Sequence, residues 1–433
     1  MLSDGRTKTT QQPSLPKRHT VAKPLLFLPI KKRVGEKWSY TAHMALPIFA
    51  SRFSAQPEMI VDIGSGSVAV AIVELSPDEH TPSKVVVAKR VALPKSDEER
   101  PDGAAFTGIV ALIEPTVKSV LELHASLAPH ARVAKVTGVL HAPWITVATS
   151  EEAQLYEKDI TITKAHIDDL AQKATAKVAP TTGEAFEKVV VRTELNGYPT
   201  GHPIGKAAHR AHVVTLTGST EKTVFAAIQD ALTKSLPGRA PVLRSSPNIT
   251  ITVLNPLARR TPHYSALDIT SEASGILVVS SGKVQSFVTI PIGWRSLIRE
   301  LAKKYVTTPE EATSRLRMAI EESCTGTDCM SVLSSLSDVA PQYTKLYAES
   351  FAKIAEKERM PSTMIVTAPP DIAPWFVELL ARLDFAPFTD TGNPFVVQRV
   401  QEQHITDFAI FAPGVQPDAG IALDAAFVHM RRA

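Results

Sequence analysis

The run Asp-Ile-Gly-Ser-Gly-Ser at residues 62–67 is the part of this sequence whose residue types and spacing best suit ligand chemistry. It interrupts one apolar β-rich run and is followed at once by another, a pattern typical of a tight hairpin. Glycines let a backbone approach a ligand closely, and the N–H groups and hydroxyls of such a turn can bind phosphate. Asp62, at the end of the first strand, is placed to hold a hydrated metal ion. An ordinary Gly/Ser hairpin fits the same residues.

A second hairpin has the same plan. Its first strand ends in Asp268 and Ile269, its turn covers residues 270–274, and a further strand, turn and strand lead to a helix at about 294–305. The first hairpin is likewise followed by a third strand and by a helix at about 104–128. Two copies of one β-β-β-α unit predict two related domains that face each other.

Length and charge bound the remaining possibilities. A chain of 433 residues is too long for one typical domain, so two to four are expected. Residues 1–57 hold ten Lys/Arg and two acids, a net +8, which leaves −5 for the rest of a chain whose total is +3. This basic arm is predicted to be disordered. Its residues 23–53 interleave aromatic and basic side chains, which fits contact with an anionic membrane surface, docking in another protein's groove, or an unstructured leader.

Several classes of protein are disfavoured. The two cysteines, Cys324 and Cys329, lack neighbouring histidines at zinc-ligand spacing and are interpreted as reduced thiols. No apolar run approaches the length of a membrane span, and no signal peptide is recognisable, so a cytoplasmic protein is expected. No nucleic-acid partner is expected, because the body is acidic and carries no recognisable binding module.

Two further segments are interpreted as structural. Residues 281–283, Ser-Gly-Lys, lie between two β-rich runs and lack the glycine spacing of a phosphate-binding P-loop, so they are predicted to form a hairpin turn. His141 and Trp144 have no paired His or Cys at ligand spacing and are predicted to serve packing.

These residues resemble a known family. The turn at Asp62, the hairpin at Asp268 and the strand that ends at residues 367–370 occur in the order of the phosphate-1, phosphate-2 and adenosine elements of actin-like ATPases. Between the two hairpins, an inserted segment resembles the small SHS2-type domain of the division protein FtsA and the pilus-assembly protein PilM. It carries Asp-Ile-Thr-Ile-Thr at 159–163 before a helix, for which Thr163 is the predicted N-cap.

The resemblance implies an α/β fold in which two RNase H-like domains flank a cleft and a small α+β domain is inserted. The implied segments are the arm at 1–57, the first domain at 58–130 and 219–250, the insert at 131–218, the second domain at 251–360, and an adenosine-element strand with a return to the first domain at 361–433.

The resemblance also implies a site for ATP and Mg²⁺ in the cleft, with Asp62 and Asp268 as the metal ligands. The residues that would hold the cofactor are Asp62, Gly64, Ser65, Gly66, Ser67, Asp268 and Ser271.

Two departures from the family pattern predict weakened or lost nucleotide binding. The second turn is Thr-Ser-Glu at 270–272 instead of glycine-rich, and Glu272 is expected to repel a triphosphate by about 4 kcal/mol. The adenosine element, usually a Gly-Gly pair, is Ala-Pro-Pro at 368–370, where proline offers no N–H and fills space.

The residues and the resemblance together predict two alternative functions. The first is a cytoplasmic actin-like scaffold of the PilM or FtsA type that binds membrane-associated pilus or division proteins, self-associates, or contacts the membrane through residues 23–53. The second is an active Mg-ATP-dependent ATPase whose nucleotide state gates filament assembly.

Overall fold

The computed structural model describes residues 57–78, 80–93, 104–178, 183–257, 262–320, 327–400 and 402–431. The predicted basic arm, including residues 23–53, lies outside the described residues except for Pro57, as do the side chains of Cys324 and Cys329. The described residues belong to one compact unit.

Three β-sheets and their helices make up this part of the chain. Strands β1 to β15 are Pro57–Ile63, Ser67–Glu74, Ser83–Ala92, Lys135–Leu140, Thr146–Thr161, Glu184–Leu195, Tyr198–Pro199, Ala207–Thr220, Val242–Ser245, Tyr264–Ile269, Ser274–Ser280, Lys283–Ile290, Thr363–Thr367, Val396–Arg399 and Ala409–Phe411. Helices α1 to α9 are Ala104–Leu127, Lys164–Ala176, Lys222–Ser235, Ser246–Leu257, Trp294–Tyr305, Pro309–Ile320, Thr327–Ala355, Ala373–Leu380 and Ala419–Met430.

The two larger sheets repeat one strand order. The first runs β15-β3-β2-β1-β4-β9 and the second runs β12-β11-β10-β13-β14. In each, an antiparallel hairpin is followed by a third antiparallel strand, and a later strand pairs in parallel with the first strand of the hairpin. The predicted α/β class and the predicted duplication of a β-β-β-α unit are therefore confirmed. We call the first sheet with α1 and α3 the first lobe, and the second sheet with α5 to α8 the second lobe.

The third sheet, with the order β5-β8-β6-β7, is the insert. Helix α2 packs on it through Ile167 and Leu170. Thr163 caps this helix as predicted, because its hydroxyl accepts a hydrogen bond from the backbone N–H of His166. The insert begins later than the predicted residue 131, because β4 pairs in parallel with β1 and so belongs to the first sheet up to Leu140.

Two other predicted boundaries also shift. The predicted division between residues 250 and 251 falls inside α4, which continues to Leu257. Within the predicted return segment, 361–433, strands β13 and β14 stay in the second sheet, and β15 is the strand that joins the first sheet. The first shift arises because α4 continues past the predicted division, and the second arises from strand pairing between distant parts of the chain.

The alternation of side chains along β1 and β10 decides where the two aspartates point. Met59 packs toward α1 and α3, whereas Ile60 packs toward α4 and α9. Because successive side chains of a strand face opposite sides of a sheet, Asp62 shares the face of Ile60. Asp268 likewise shares the face of Ala266, which belongs to the same core as Ile60. Both carboxylates therefore lie on the inner faces of the two sheets.

Polar contacts hold the insert against both lobes. On the first lobe, the buried carboxylate of Glu187 accepts hydrogen bonds from the backbone N–H of Ser245 at 3.0 Å and from Asn248 Nδ2 at 2.8 Å. On the second lobe, Lys283 Nζ lies 2.6 Å from a carboxylate oxygen of Glu151 on β5. The insert is therefore fixed to the rest of the molecule at two places.

Candidate functional site

The ends of β1 and β10 meet at a cavity of about 350 Å³ between the two lobes. Most of the residues predicted from the sequence to bind a cofactor line this cavity: Asp62, Gly64, Ser67, Asp268 and Ser271. Ser65 and Gly66 lie instead where the first turn touches the second. All seven predicted residues are thus brought together in one place.

Asp62 is held by an arginine that comes from two strands away. In the pairing of β1 with β2 and of β2 with β3, Asp62 stands opposite Ala69 and Ala69 stands opposite Arg90. The small alanine lets the long Arg90 side chain reach across it, so that Nη2 donates to Asp62 Oδ2 at 2.7 Å. The same guanidinium bonds Asp418, the N-cap of α9, at 2.6 and 2.9 Å.

His141 lies between the two aspartates. Its Nδ1 is 2.6 Å from Asp268 Oδ2, and its Nε2 is 3.0 Å from Asp62 Oδ1, an ionic contact without hydrogen-bond geometry. The side chain is 9% exposed. The prediction that His141 serves only packing is therefore wrong, because this ring connects one lobe to the other. Trp144 does serve packing: its indole N–H donates to the Gly64 carbonyl at 2.9 Å and its ring lies against Phe106.

The charges of this network follow from its burial and its pairing. Burial alone would raise the pKa of Asp62, but the positive charges of Arg90 and His141 outweigh burial and hold that pKa well below its ordinary value of 3.8. Burial alone would lower the pKa of His141, but the charges of Asp62 and Asp268 raise it well above 6.5. The network therefore favours the ionised form of Asp62 and the doubly protonated form of the His141 ring.

A third carboxyl group lies beside the network. Asp424, on α9, is 3% exposed, and its Oδ2 has no hydrogen-bond partner among the described residues. Burial and the nearby charge of Asp62 raise the pKa of Asp424 well above 3.8. Burial and the charge of Asp62 thus favour the protonated form of Asp424.

The two turns satisfy each other's polar groups directly. The hydroxyl of Ser65 lies 2.6 Å from Thr270 Oγ1 and accepts hydrogen bonds from the backbone N–H groups of Glu272 at 2.7 Å and Ala273 at 3.2 Å. These N–H groups belong to the turn that was predicted to face phosphate. Gly66 lies so close to the second turn that an added Cβ would be 2.6 Å from Ser271 Cβ.

Glu272 does not stand unpaired in the cleft. Arg299, on α5, donates to both of its carboxylate oxygens, at 2.9 and 2.7 Å. The predicted repulsion of a triphosphate by a bare carboxylate is therefore wrong, because a bidentate arginine neutralises the charge. The second departure from the family pattern, the Ala-Pro-Pro run at 368–370, does shape the cavity, because Pro369 and Pro370 form part of its wall.

Mg²⁺ does not fit this arrangement of side chains. A metal ligand needs a free carboxylate oxygen, whereas both oxygens of Asp62 face cations of the chain and Asp268 shares one oxygen with His141. Within the described ranges, no group of three or more His, Cys, Asp or Glu is arranged to hold a metal ion.

Sequence reasoning missed Arg90, His141 and Asp424. One signal could have found His141: it follows β4 directly, and the carboxyl ends of neighbouring parallel strands meet at one edge of a sheet. The register confirms this placement, since Ile63 pairs with Leu140 and the His141 N–H donates to the Ile63 carbonyl at 3.3 Å. The contact of Arg90 with Asp62 could be predicted only from the registers of two strand pairs, and no local sequence pattern indicates it.

Comparison with solved structures identifies the fold. The chain is similar to the PilM-PilN type IV pilus biogenesis complex, with a TM-score of 0.55, 13% identity, and coverage of 86% of this chain and 98% of that chain. The chain has the actin-like ATPase fold. A weaker likeness is to the ethanolamine utilization protein EutJ from Carboxydothermus hydrogenoformans, with a TM-score of 0.42, 13% identity, and coverage of 85% of this chain and 89% of that chain. Another is to an actin-like ATPase-fold protein from Bacteroides thetaiotaomicron, with a TM-score of 0.37, 9% identity, and coverage of 88% of this chain and 99% of that chain. No protein-family model matches, and no curated protein matches.

Among the described residues of this chain, no helix is long and apolar enough to cross a bilayer.

Gly66→Ala is expected to lower the free energy of unfolding by about 1–3 kcal/mol, because the new methyl group overlaps Ser271. Urea unfolding measures this change. Gly201→Ala is the matched control: its added Cβ meets nothing within 4 Å, so a change of no more than about 0.5 kcal/mol is expected. Equal effects of the two substitutions would contradict close contact between the turns.

The network also predicts how stability depends on pH. The raised pKa of His141 stabilises the fold fully below 6.5, and this contribution is lost as pH rises through the folded pKa. The lowered pKa of Asp62 stabilises the fold above 3.8, and that contribution is lost as pH falls through the folded pKa. The difference in unfolding free energy between wild type and His141→Gln should therefore be largest between about pH 4 and 6.5 and shrink on either side. Urea titrations across pH measure it, and a constant difference would count against the network.

Proposed function

We propose that this chain is an actin-like scaffold of the PilM kind, which binds a membrane-associated protein without needing ATP. The observation that carries the proposal is the neutralisation of Asp62 by Arg90 and His141, which leaves its carboxylate no oxygen for Mg²⁺. The overall similarity to the PilM-PilN complex supports a protein partner. On this proposal, the predicted cleft residues make contacts within the chain instead of holding nucleotide.

We further propose that the insert is an SHS2-type domain and that the partner binds beside it. A groove of about 400 Å³ lies between the insert and the first lobe. Its wall combines β1, β4 and β9 of the first lobe, Val189 of the insert, and the end of α9. Strand β9 is the edge strand of the first sheet, and its Val242 is 46% exposed.

The groove is strongly basic. Lys135, Arg239, Arg244 and Arg431 all line it. Arg244 lies 3.5 Å from a carboxylate oxygen of Glu187, whereas none of the other three forms an ion pair with a carboxylate in the described part of the chain.

Glu58, the acidic residue in the groove wall, compensates little of this positive charge. Burial raises the pKa of Glu58, and its carboxyl group is already occupied by a hydrogen bond from Thr137 at 2.7 Å. Burial and the nearby positive charge of Arg244 lower the pKa of Arg431. Clustered cations of this kind favour an anionic ligand. The apolar side chains of Val189 and Phe427 complete the groove, so we propose that the partner is an extended segment with both acidic and apolar side chains.

Site-specific photocrosslinking in the native cell tests the proposal. A photoreactive amino acid is placed at Val242 or, as the matched control, at Val396, which is 56% exposed on β14, the corresponding edge strand of the second sheet. We expect one membrane protein to crosslink from position 242 and not from position 396, and the yield to persist after ATP depletion. Loss of the crosslink on ATP depletion would favour the nucleotide-gated alternative.

A charge reversal checks the chemistry of the partner. Arg431→Glu should lower the crosslinking yield from position 242 by about tenfold, because it removes one uncompensated cation and repels an acidic segment. Arg382→Glu, on an exposed part of the second lobe, is the control and should leave the yield unchanged. An undiminished yield in Arg431→Glu would show that the groove does not recognise acidic side chains.

A further inference from the structure

The ring of His141 occupies a particular position in the cleft. It joins the end of β1 to the end of β10, with one nitrogen 3.0 Å from Asp62 and the other 2.6 Å from Asp268. These two carboxylates come from different lobes and from corresponding strands of the duplicated unit. Two carboxylates that face each other across a cleft repel unless a cation lies between them.

The side chain meets the requirement for such a cation. A neutral imidazole has one N–H donor and one nitrogen lone pair, whereas both nitrogens of this ring lie within 3.0 Å of carboxylate oxygens, so the neutral ring would set its lone pair against one of the two carboxylates. The ring is 9% exposed, and the positive charge is therefore held within the protein. Arg90 takes the remaining oxygen of Asp62, at 2.7 Å.

We infer that His141 is a built-in cation that takes the position of a divalent metal ion between Asp62 and Asp268 and ties the two lobes together. This inference rests on the proposed loss of nucleotide binding. It adds that the cleft carries its own charge in place of a metal and that removal of one side chain uncovers the cation site.

The position borders the cavity between the lobes, which His141, Asp62 and Asp268 all line. Near it, Arg90 is bound to Asp418, and the turns of the two lobes are joined through Ser65 and Thr270. Replacing His141 by alanine would therefore leave a space of the size of an imidazole ring between two carboxylates, and small cations should be able to refill it.

Chemical rescue tests this inference without nucleotide or partner. The melting temperature of full-length wild type, His141→Ala and His263→Ala is measured with and without imidazole at about pH 6, where free imidazole is largely protonated. His263 is the matched control, since it pairs with Asp390 at 2.8 Å but its side chain is 45% exposed and it does not join the lobes. We expect His141→Ala to lose roughly 5–10 °C, because a buried carboxylate loses its partner. Imidazole should restore much of the loss in this variant alone.

A second test measures the melting temperature as Mn²⁺ is added. Mn²⁺ should raise the melting temperature of His141→Ala and leave the wild type unchanged, because His141 already fills the site. Where His141→Ala does not fold without imidazole, His141→Asn is measured in the same way.

Stabilisation of the wild type by Mn²⁺ to the same extent, or failure of imidazole to restore the variant, overturns the inference. Neither reading depends on ATP or on the partner, so a failed crosslink and a failed rescue are separate results.

Discussion

Two carboxylates at the ends of corresponding strands are the constraint on which the rest of this molecule depends. Duplication of the β-β-β-α unit places Asp62 and Asp268 on facing inner surfaces, where their like charges must be compensated. The chain supplies the compensation itself, through Arg90 from β3 and His141 from the end of β4. Removing one partner of a buried pair costs about 3–5 kcal/mol, so His141, which contacts both aspartates, holds the two lobes in place.

The same fold separates the cleft from the proposed partner surface. The cleft lies at the ends of β1 and β10, whereas the basic groove lies between the first lobe and the insert, at the edge strand β9. Because Glu187 and Lys283 fix the insert to both lobes, the groove keeps its shape only while the lobes keep theirs. A cleft held by its own charges thus gives the groove a constant geometry, as the proposed scaffold function requires.

The sequence was sufficient for features that depend on local pattern. The Asp-led hairpins, the repeated unit and the Thr163 cap follow from alternation, turn residues and capping preference, and the structure contains all three. It was insufficient where the answer depends on which distant strands pair. Arg90 reaches Asp62 only because β3 lies two strands from β1, and His141 looked like packing because its two partners are far away in sequence. Glu272 was misjudged because its partner Arg299 lies 27 residues away, on α5.

The central claim is that the lobes are held together by the chain's own cations and not by nucleotide. Double electron–electron resonance measures the distance between the lobes directly. Spin labels are placed at Leu127 on the first lobe and Leu383 on the second, both of which are well exposed, in a protein whose Cys324 and Cys329 are replaced by serine. The account predicts one narrow distance distribution in the wild type that Mg-ATP does not change, and a broader distribution in His141→Ala. A wild-type distance that shifts when Mg-ATP is added would contradict it.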